Sequence, residues 1–254
     1  ASSNNIELIR HNRIDSSEEV ITAIEDVMPD LLVVSSYRNI IPDNILKLAR
    51  LGAINLHMAP LPKYRGVHPE NWALINGEDW MGYTVHYLDS GIDTGDIIAQ
   101  DRVPILPEDD ILSLTYKISE AAPKILIEVI NDIGVGHIVR KTQDESQATY
   151  YPPRKPSDGL IDWSMQDTDI QNLIRALTRP YPGAYTIISG YKLMVWRSRL
   201  VNGANTICEP GQIIELSSSG ILVGTGSKPI LLTDFIWDGG ELPDDLIGET
   251  IGSE

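Results

Sequence analysis

The amino-terminal half of the chain alternates between helix-like and strand-like patterns of apolar residues. Residues 16–28 start with two serines and two glutamates, continue with apolar residues at helical spacing and stop before Pro29, which predicts an amphipathic helix. Residues 30–34 and 52–57 are short apolar runs without polar alternation, as expected of strands buried on both faces. With a short helix predicted over residues 42–48, this order indicates parallel β-α-β crossovers and a Rossmann-like, mostly parallel α/β sheet.

The next segments continue the α/β pattern. Residues 84–88 and 96–100 are predicted strands, separated by a turn region rich in glycine and aspartate. Residues 108–131 show the apolar periodicity of a long helix, in which Pro123 can introduce a kink. The acidic residues at the start of this segment suit the positive end of a helix dipole.

The pattern changes near residue 150. Residues 150–156 are rich in proline and predict an extended linker, and a helix is expected near residues 166–178. The remaining apolar segments are short and separated by glycines, as in a small antiparallel barrel, and they cover residues 184–188, 192–200, 211–216, 220–223 and 230–236. We therefore expect an α/β domain over residues 1–156 and a β-rich, OB-like barrel domain over residues 157–254.

Composition narrows the class of protein. The 254 residues include 36 Asp and Glu against 20 Lys and Arg, a formal net charge of −16, and such a surface repels the backbone of DNA or RNA. Cys208 is the single cysteine, so neither an intramolecular disulfide nor a cysteine-based zinc site can form. Residues 1–5 lack the features of a signal peptide, and no apolar run approaches the roughly 20 residues that span a bilayer. These features predict a cytoplasmic protein that does not associate with membranes.

Three polar residues are candidates for chemistry. Asn55 and His57 lie two apart near the carboxyl end of an apolar strand, so both side chains face the same side, at the edge where open α/β sheets bind ligands. Asp93 lies in the tight loop Gly91–Gly95, which follows the strand predicted over residues 84–88. If that strand neighbours the first one, Asp93 can approach His57. His86, inside the second strand, is expected to be a packing or supporting residue.

This set of residues suits acyl transfer to an amine. A histidine can take the amine proton, and a carboxylate can orient and stabilise that histidine. An asparagine amide can donate to the oxyanion that forms on the acyl carbon. An activated acyl donor needs no protein nucleophile.

The motifs around these residues resemble those of the folate-dependent formyltransferases. The resemblance covers about residues 28–240 and rests on three segments in order: Asn55-x-His57, Leu61-Pro62-x-Tyr64-Arg65-Gly66 and Gly91-Ile92-Asp93-Thr94-Gly95. It implies transfer of a formyl group from 10-formyltetrahydrofolate to an amine, with His57 as general base, Asn55 as oxyanion donor and Asp93 positioning His57. It also implies no metal. The positions it assigns to the folate co-substrate are Arg38, Asn39, Ile40, Ile41, Leu88 and Asp89.

The carboxyl-terminal segments decide between branches of that family. Residues 179–185 and 192–198 resemble the barrel domain of sugar-nucleotide N-formyltransferases, and methionyl-tRNA formyltransferases carry a comparable domain. A chain with a net charge of −16 is poorly suited to binding a polyanionic tRNA, so we expect a nucleotide-linked amino-deoxy sugar as the acceptor. Its phosphates are assigned to Lys63 and Arg65. The remaining substrate-binding candidates are His68, Glu70 and Asn71.

Several alternatives stay open. The acceptor can be water, which gives a 10-formyltetrahydrofolate hydrolase, or methionyl-tRNA, or the protein can bind folate or a nucleotide sugar without catalysis. The resemblance places a strand–helix–strand unit before the first segments seen here, so the sheet is expected to lack its first unit. It also places serine where this chain has Ala59. The apolar strands of the barrel could pair two copies of the chain in a homodimer.

Overall fold

A computed structural model describes residues 8–11, 17–201, 208–240 and 242–252. Residues 1–5, in which we looked for a signal peptide, and Ser16 of the first predicted helix lie outside this range. The chain forms two compact units. The first contains the described residues up to Val67 with Gly82–Val103 and Ile118–Tyr151, and the second contains His68–Met81, Pro104–Lys117 and the described residues from Pro152 onward. Because two short earlier segments join the second unit, the boundary at 156/157 stays a prediction.

The elements follow the order expected from the apolar pattern. In chain order they are α1 (Glu18–Val27), β1 (Leu32–Ser35), α2 (Asp43–Leu46), β2 (Ala53–His57), β3 (Arg65–Gly66), α3 (Pro69–Ile75), β4 (Trp80–Tyr87), β5 (Ile97–Pro104), α4 (Ile111–Gly134), β6 (Tyr150–Tyr151), α5 (Asp167–Leu177), β7 (Ala184–Ile188), β8 (Tyr191–Leu200), β9 (Ile213–Ser217), β10 (Gly220–Val223) and β11 (Ile230–Trp237). Ser17 caps α1 by accepting from the Val20 amide at 3.3 Å. Pro123 lies inside α4.

The sheet of the first unit has the order β1-β2-β4-β5. β1 and β2 are parallel and joined through α2, which confirms the predicted crossover. β4 runs antiparallel to β2, so the sheet is mixed rather than mostly parallel. The prediction that the first strand is buried on both faces is wrong: its residues alternate in exposure and Val33 is 44% exposed, because the described residues leave one face of β1 partly uncovered.

The second unit contains a five-stranded antiparallel sheet of order β7-β8-β11-β10-β9. All five strands lie where the alternating runs predicted them, within two residues at each end. The sheet and α5 enclose a cluster that is almost entirely aliphatic, with Leu193, Val195, Ile213, Ile230 and Leu232 fully buried. No helix in the residues described is both long enough and apolar enough to cross a membrane.

Candidate active site

The pairing of β2 with β4 brings two histidines and an asparagine together. Asn55 lies opposite His86, and His57 lies opposite Thr84, at the carboxyl end of β2. The Asn55 Nδ2 atom is 3.2 Å from His86 Nε2, and the His57 Nε2 atom is 2.9 Å from the Tyr64 carbonyl oxygen. Both imidazoles are buried, and their ring centroids are 6.3 Å apart.

The Asp93 carboxylate lies between the two imidazoles. Its Oδ2 atom is 3.8 Å from His57 Nε2, and its Oδ1 atom is 3.7 Å from His86 Nε2. The Gly66 amide donates to Oδ2 at 3.0 Å and so links β3 to this carboxylate. The three candidate catalytic residues predicted from sequence are therefore brought together, with His86 as a fourth member.

The glycine-rich loop places Asp93 through local contacts. The Asp89 carboxylate accepts from the Gly91 amide at 3.0 Å and from the Thr94 hydroxyl at 2.6 Å, which closes the turn. A side chain at Gly95 would place its Cβ 1.8 Å from the Tyr87 carbonyl oxygen, so only glycine fits there. The spacing of the Gly-Ile-Asp-Thr-Gly motif is thus a packing requirement of this turn.

Hydrogen bonds to carbonyl groups decide where the imidazole protons lie. His86 Nδ1–H donates to the Tyr87 carbonyl at 2.8 Å, which leaves Nε2 to accept from Asn55. Burial and the neighbouring His57 lower the pKa of His86 to about 4, so His86 is neutral near pH 7. His57 Nε2–H donates to the Tyr64 carbonyl, which leaves Nδ1 with the lone pair.

This arrangement can transfer a proton and stabilise a developing negative charge. The free Nδ1 of His57 can accept a proton, and the Asp93 carboxylate can stabilise the resulting imidazolium. His86 holds one N–H of the Asn55 amide, so the second N–H is the one that can donate to an oxyanion. Among the described residues, no group of three or more His, Cys, Asp or Glu side chains suits a metal ion.

The positions assigned to a folate follow two strands that end on opposite sides of the sheet. Arg38, Asn39 and Ile40 are exposed after β1, on the side where β2 also ends, whereas Ile41 is buried. Leu88 follows β4 on the opposite side, where β2 begins, since the Leu88 amide donates to the Ala53 carbonyl at 2.8 Å. Asp89 is exposed and shapes the Asp93 loop. The folate positions stay predictions.

The substrate positions fall into two groups. Lys63 is exposed on the segment between β2 and β3 and stays a candidate. Arg65 does not fit its predicted role, because its side chain is fully buried and donates to Gln143, Glu145 and Tyr150. Its guanidinium supports the protein interior and is not free for a phosphate.

His68, Glu70 and Asn71 lie in the second unit, at the start of α3. Asn71 does not fit a substrate-binding role, because it is fully buried and donates to the Ala176 carbonyl of α5 at 2.7 Å. The His68 ring meets the Tyr181 ring edge-on, with centroids 5.8 Å apart. Glu70 is partly exposed, and with His68 it stays a prediction.

Sequence reasoning underestimated His86 and missed Gln143. His86 could have been found as a polar residue inside an apolar strand, at the position that an antiparallel partner of Asn55 would occupy. Gln143 carried no such signal. It lies in an irregular segment between α4 and β6, and its role depends on contacts across 50 and 78 residues.

Comparison with known proteins identifies related chains. Residues 2–130 match the formyl transferase family model, and residues 154–242 match the formyl transferase C-terminal domain model. Methionyl-tRNA formyltransferase from Geobacter sulfurreducens is 38% identical over 221 residues, which cover 87% of this chain and 68% of that protein.

Two solved structures share the fold. HypX from Aquifex aeolicus in complex with tetrahydrofolic acid matches with a TM-score of 0.67 and 20% identity over 86% of this chain, which spans only 37% of HypX. The N-formyltransferase from Helicobacter canadensis, in complex with folinic acid and dTDP-3-aminofucose, matches with a TM-score of 0.67 and 20% identity over 92% of this chain and 80% of that one.

Proposed function

This chain belongs to the formyl transferase family, and we propose that it transfers the formyl group of 10-formyltetrahydrofolate to the amino group of methionyl-tRNA. The observation that carries the choice of acceptor is the 38% identity to a methionyl-tRNA formyltransferase across 87% of this chain. The sugar-nucleotide enzyme is similar at only 20% identity, which supports the fold rather than a substrate. The expectation of a sugar acceptor rested on the net charge and on the resemblance of residues 179–185 and 192–198 to the barrel domain of sugar-nucleotide N-formyltransferases.

The proposed mechanism uses the geometry around Asp93. His57 Nδ1 accepts the proton that the amine loses as it attacks the formyl carbon, and Asp93 stabilises the imidazolium. The Asn55 amide, oriented by neutral His86, donates to the oxyanion that develops on the formyl oxygen. As the oxyanion collapses, the bond between the formyl carbon and N10 of the folate breaks, and the His57 imidazolium gives its proton to N10, so that tetrahydrofolate leaves. Because the donor is already activated, no covalent intermediate with the protein is required.

The folate is proposed to lie against the segment after β1 and the backbone of the Asp93 loop. Exposed Arg38 and Asn39 offer donors for the folate tail, and Ile40 offers an apolar surface, 58% exposed, for its ring. Buried Ile41 would support the first of these segments, and Leu88 and Asp89 would support the second. We assign this chemistry to the α/β domain, residues 1–156, and acceptor binding to residues 157–254.

The overall charge of −16 does not decide against tRNA, because local charge governs phosphate contacts. Arg197 and Arg199 lie two apart on β8, so their exposed side chains share one face of the strand. Both line a cavity of about 530 Å³ in the second unit. The lining also contains Arg175 and the acidic residues Glu108, Asp109 and Asp110, so the cavity as a whole is not cationic. Arg197 and Arg199 are our candidates for contact with an RNA backbone.

A nucleotide-linked amino sugar is the second candidate acceptor. The Helicobacter canadensis enzyme, whose structure holds dTDP-3-aminofucose, aligns over 92% of this chain. With Arg65 and Asn71 committed to the protein interior, Lys63 is the basic residue that remains for its phosphates in this alternative. Water as acceptor, which would make the protein a hydrolase, and folate binding without turnover are outcomes of the same experiment.

The test is a direct competition between acceptors. The protein is incubated with 10-formyltetrahydrofolate and, in turn, methionyl-tRNA, a panel of dTDP-amino sugars or buffer, and formyl addition is measured by mass spectrometry together with tetrahydrofolate release. Our proposal predicts addition to methionyl-tRNA alone. Addition to a sugar, release without an amine, or binding without release would each replace it with the corresponding alternative.

The phosphate contacts are tested separately. The Arg197→Ala/Arg199→Ala variant should raise KM for methionyl-tRNA and reduce the slope of log KM against log salt by about one per lost phosphate contact. Lys124→Ala/Lys141→Ala, which removes the same charge from exposed positions of the first unit, is the matched control. Equal effects of the two variants would show that only net charge matters.

A further inference from the structure

Gln143 connects the Asp93 loop to the interior of the first unit. Its side chain is 7% exposed, and its Nε2 atom donates to the Asp93 carbonyl at 2.8 Å and to the Gly95 carbonyl at 2.7 Å. Both N–H groups of the amide are thus used on backbone carbonyls on either side of Thr94. One side chain therefore holds the loop at the residue that carries the candidate carboxylate.

The other end of the Gln143 amide is held by Arg65. The guanidinium donates from Nε and Nη2 to Gln143 Oε1 at 3.2 and 2.8 Å. The guanidinium also forms a hydrogen-bonded ion pair with Glu145. This pairing raises the pKa of Arg65, although burial of the Arg65 side chain acts in the opposite direction. Because a charged donor fixes Oε1, the amide cannot turn over without losing bonds at both ends.

Asp93 needs such support because of its backbone. Its φ angle is +54°, in the left-handed region that residues with a side chain rarely adopt. Residues in such conformations persist where the surrounding structure holds them, at a cost of about 1–3 kcal/mol. The Gln143 bonds to the Asp93 and Gly95 carbonyls, with the Gly66 amide bond to the carboxylate, supply that restraint.

We propose that Gln143, held by Arg65, is a positioning residue for formyl transfer: it fixes the backbone of Asp93 so that the carboxylate stays between His57 and His86. This inference rests on the proposed function where kcat is the readout. It does not rest on that function where the readout is the position of the His57 and His86 rings. Nothing in the mechanism above requires Gln143 to touch a substrate.

The test compares two glutamines that make the same kind of bridge. Gln143→Met removes the amide at nearly constant volume. Gln100→Met is the control, because Gln100 Nε2 donates to the Leu61 carbonyl and to the Thr84 hydroxyl in the same unit rather than to the Asp93 loop. Gln100 is exposed, so the pair compares the bonds of the amide and not its burial. Gln143→Glu keeps an acceptor for Arg65 but loses both donors, so it separates the two ends of the bridge.

We expect Gln143→Met and Gln143→Glu to lower kcat by about 10–100-fold, since small displacements of a reacting group have costs of this order. KM for methionyl-tRNA should stay unchanged, because acceptor binding is assigned to residues 157–254. The ¹H–¹⁵N signals of the His57 and His86 rings should move in both variants. Gln100→Met should leave kcat and these signals near those of the unaltered protein. If Gln143→Met does not fold, Gln143→Glu carries the test.

Unchanged kcat and unchanged ring signals in the folded Gln143 variants would overturn the proposal, as would equal effects in Gln100→Met. If the unaltered protein transfers no formyl group to any acceptor, the proposed function fails, but the ring signals still decide whether Gln143 positions Asp93. The two proposals can therefore fail separately.

Discussion

Both units bury apolar residues, but the first also buries a connected polar network beside its sheet. In the first unit, a polar network is buried beside the sheet: Arg65, Thr84 and His86 are fully buried, and His57 and Gln143 nearly so, each with hydrogen-bond partners. In the second unit, the cluster around α5 is almost wholly aliphatic, with a hydrogen bond from Trp163 Nε1 to the Thr186 hydroxyl at 3.1 Å.

The difference separates two tasks. Buried polar groups are costly unless their partners lie in the right directions, so the network of the first unit constrains atomic positions. Aliphatic contacts are not directional, and they stabilise a fold roughly in proportion to the apolar area that they remove from water. We therefore expect substitutions in the polar network of the first unit to change turnover, and those in the aliphatic cluster of the second unit to change stability.

The largest effect is expected at the centre of the polar network. His57→Ala removes the proton acceptor and should lower kcat on the order of 10²–10⁴-fold, the usual contribution of a general base. Formyl transfer under single-turnover conditions measures the loss, and urea unfolding measures stability. Near-normal transfer by folded His57→Ala would remove the proposed mechanism.

The aliphatic interior should respond in stability instead. Leu232 is fully buried in β11, so Leu232→Ala should lower the free energy of unfolding by about 2–5 kcal/mol, with kcat per folded molecule unchanged. Its neighbour Leu231 lies on the opposite face and is partly exposed, so Leu231→Ala is the control with a smaller loss. Similar losses in both variants would contradict the division between faces.

His86 links stability to pH. Its pKa is about 4 in the fold and 6.5 as a free side chain, so between these values the unfolded chain binds a proton that the folded one does not. Stability should fall by up to about 3 kcal/mol as pH drops from about 6.5 to 4. His86→Gln, which cannot titrate, should lack this component. Urea unfolding of both proteins from pH 4 to 7 tests this prediction. The same dependence of unfolding free energy on pH in the unaltered protein and in His86→Gln would contradict it.

The smallest effect is expected for an exposed ion pair. Arg50 and Asp30 pair at 2.8 Å, but their side chains are 73% and 72% exposed. Arg50→Ala should change the free energy of unfolding by less than about 1 kcal/mol, because solvent screens such pairs. Urea unfolding at low and high salt measures it. A loss of several kcal/mol would mean that exposed pairs in this chain behave like the buried network.

Local patterns predicted much of the fold. The periods of the apolar residues predicted α1, the β1-α2-β2 crossover, α5 and all five strands of the second unit, because each period reflects contacts within one element and its nearest layer. The apolar patterns wrongly predicted that β1 is buried on both faces, since the burial of each face depends on what packs against it. The sequence also predicted a mostly parallel sheet, and the antiparallel β4 made it mixed.

The candidate site also combines features that local sequence predicts with features that depend on distant residues. Asn55, His57 and Asp93 could be predicted because strand spacing and the glycine turn are local properties of the chain. By contrast, the fixed orientation of Asn55 depends on His86, 31 residues away, and the support of Asp93 depends on Gln143, 50 residues away. Arg65 was misassigned because a charged residue in a loop gives no sign of the Gln143 and Glu145 side chains that bury it.

By itself, then, the sequence determined most of the elements and their order, and it predicted the three residues to which we assign the chemistry. Only the tertiary structure decided which polar groups meet: the β2–β4 register placed His86 against Asn55, and the return of the chain after α4 placed Gln143 beneath Asp93. The physical reason is that hydrogen bonds between buried groups depend on distances of about 3 Å between atoms far apart in sequence, which no local pattern records.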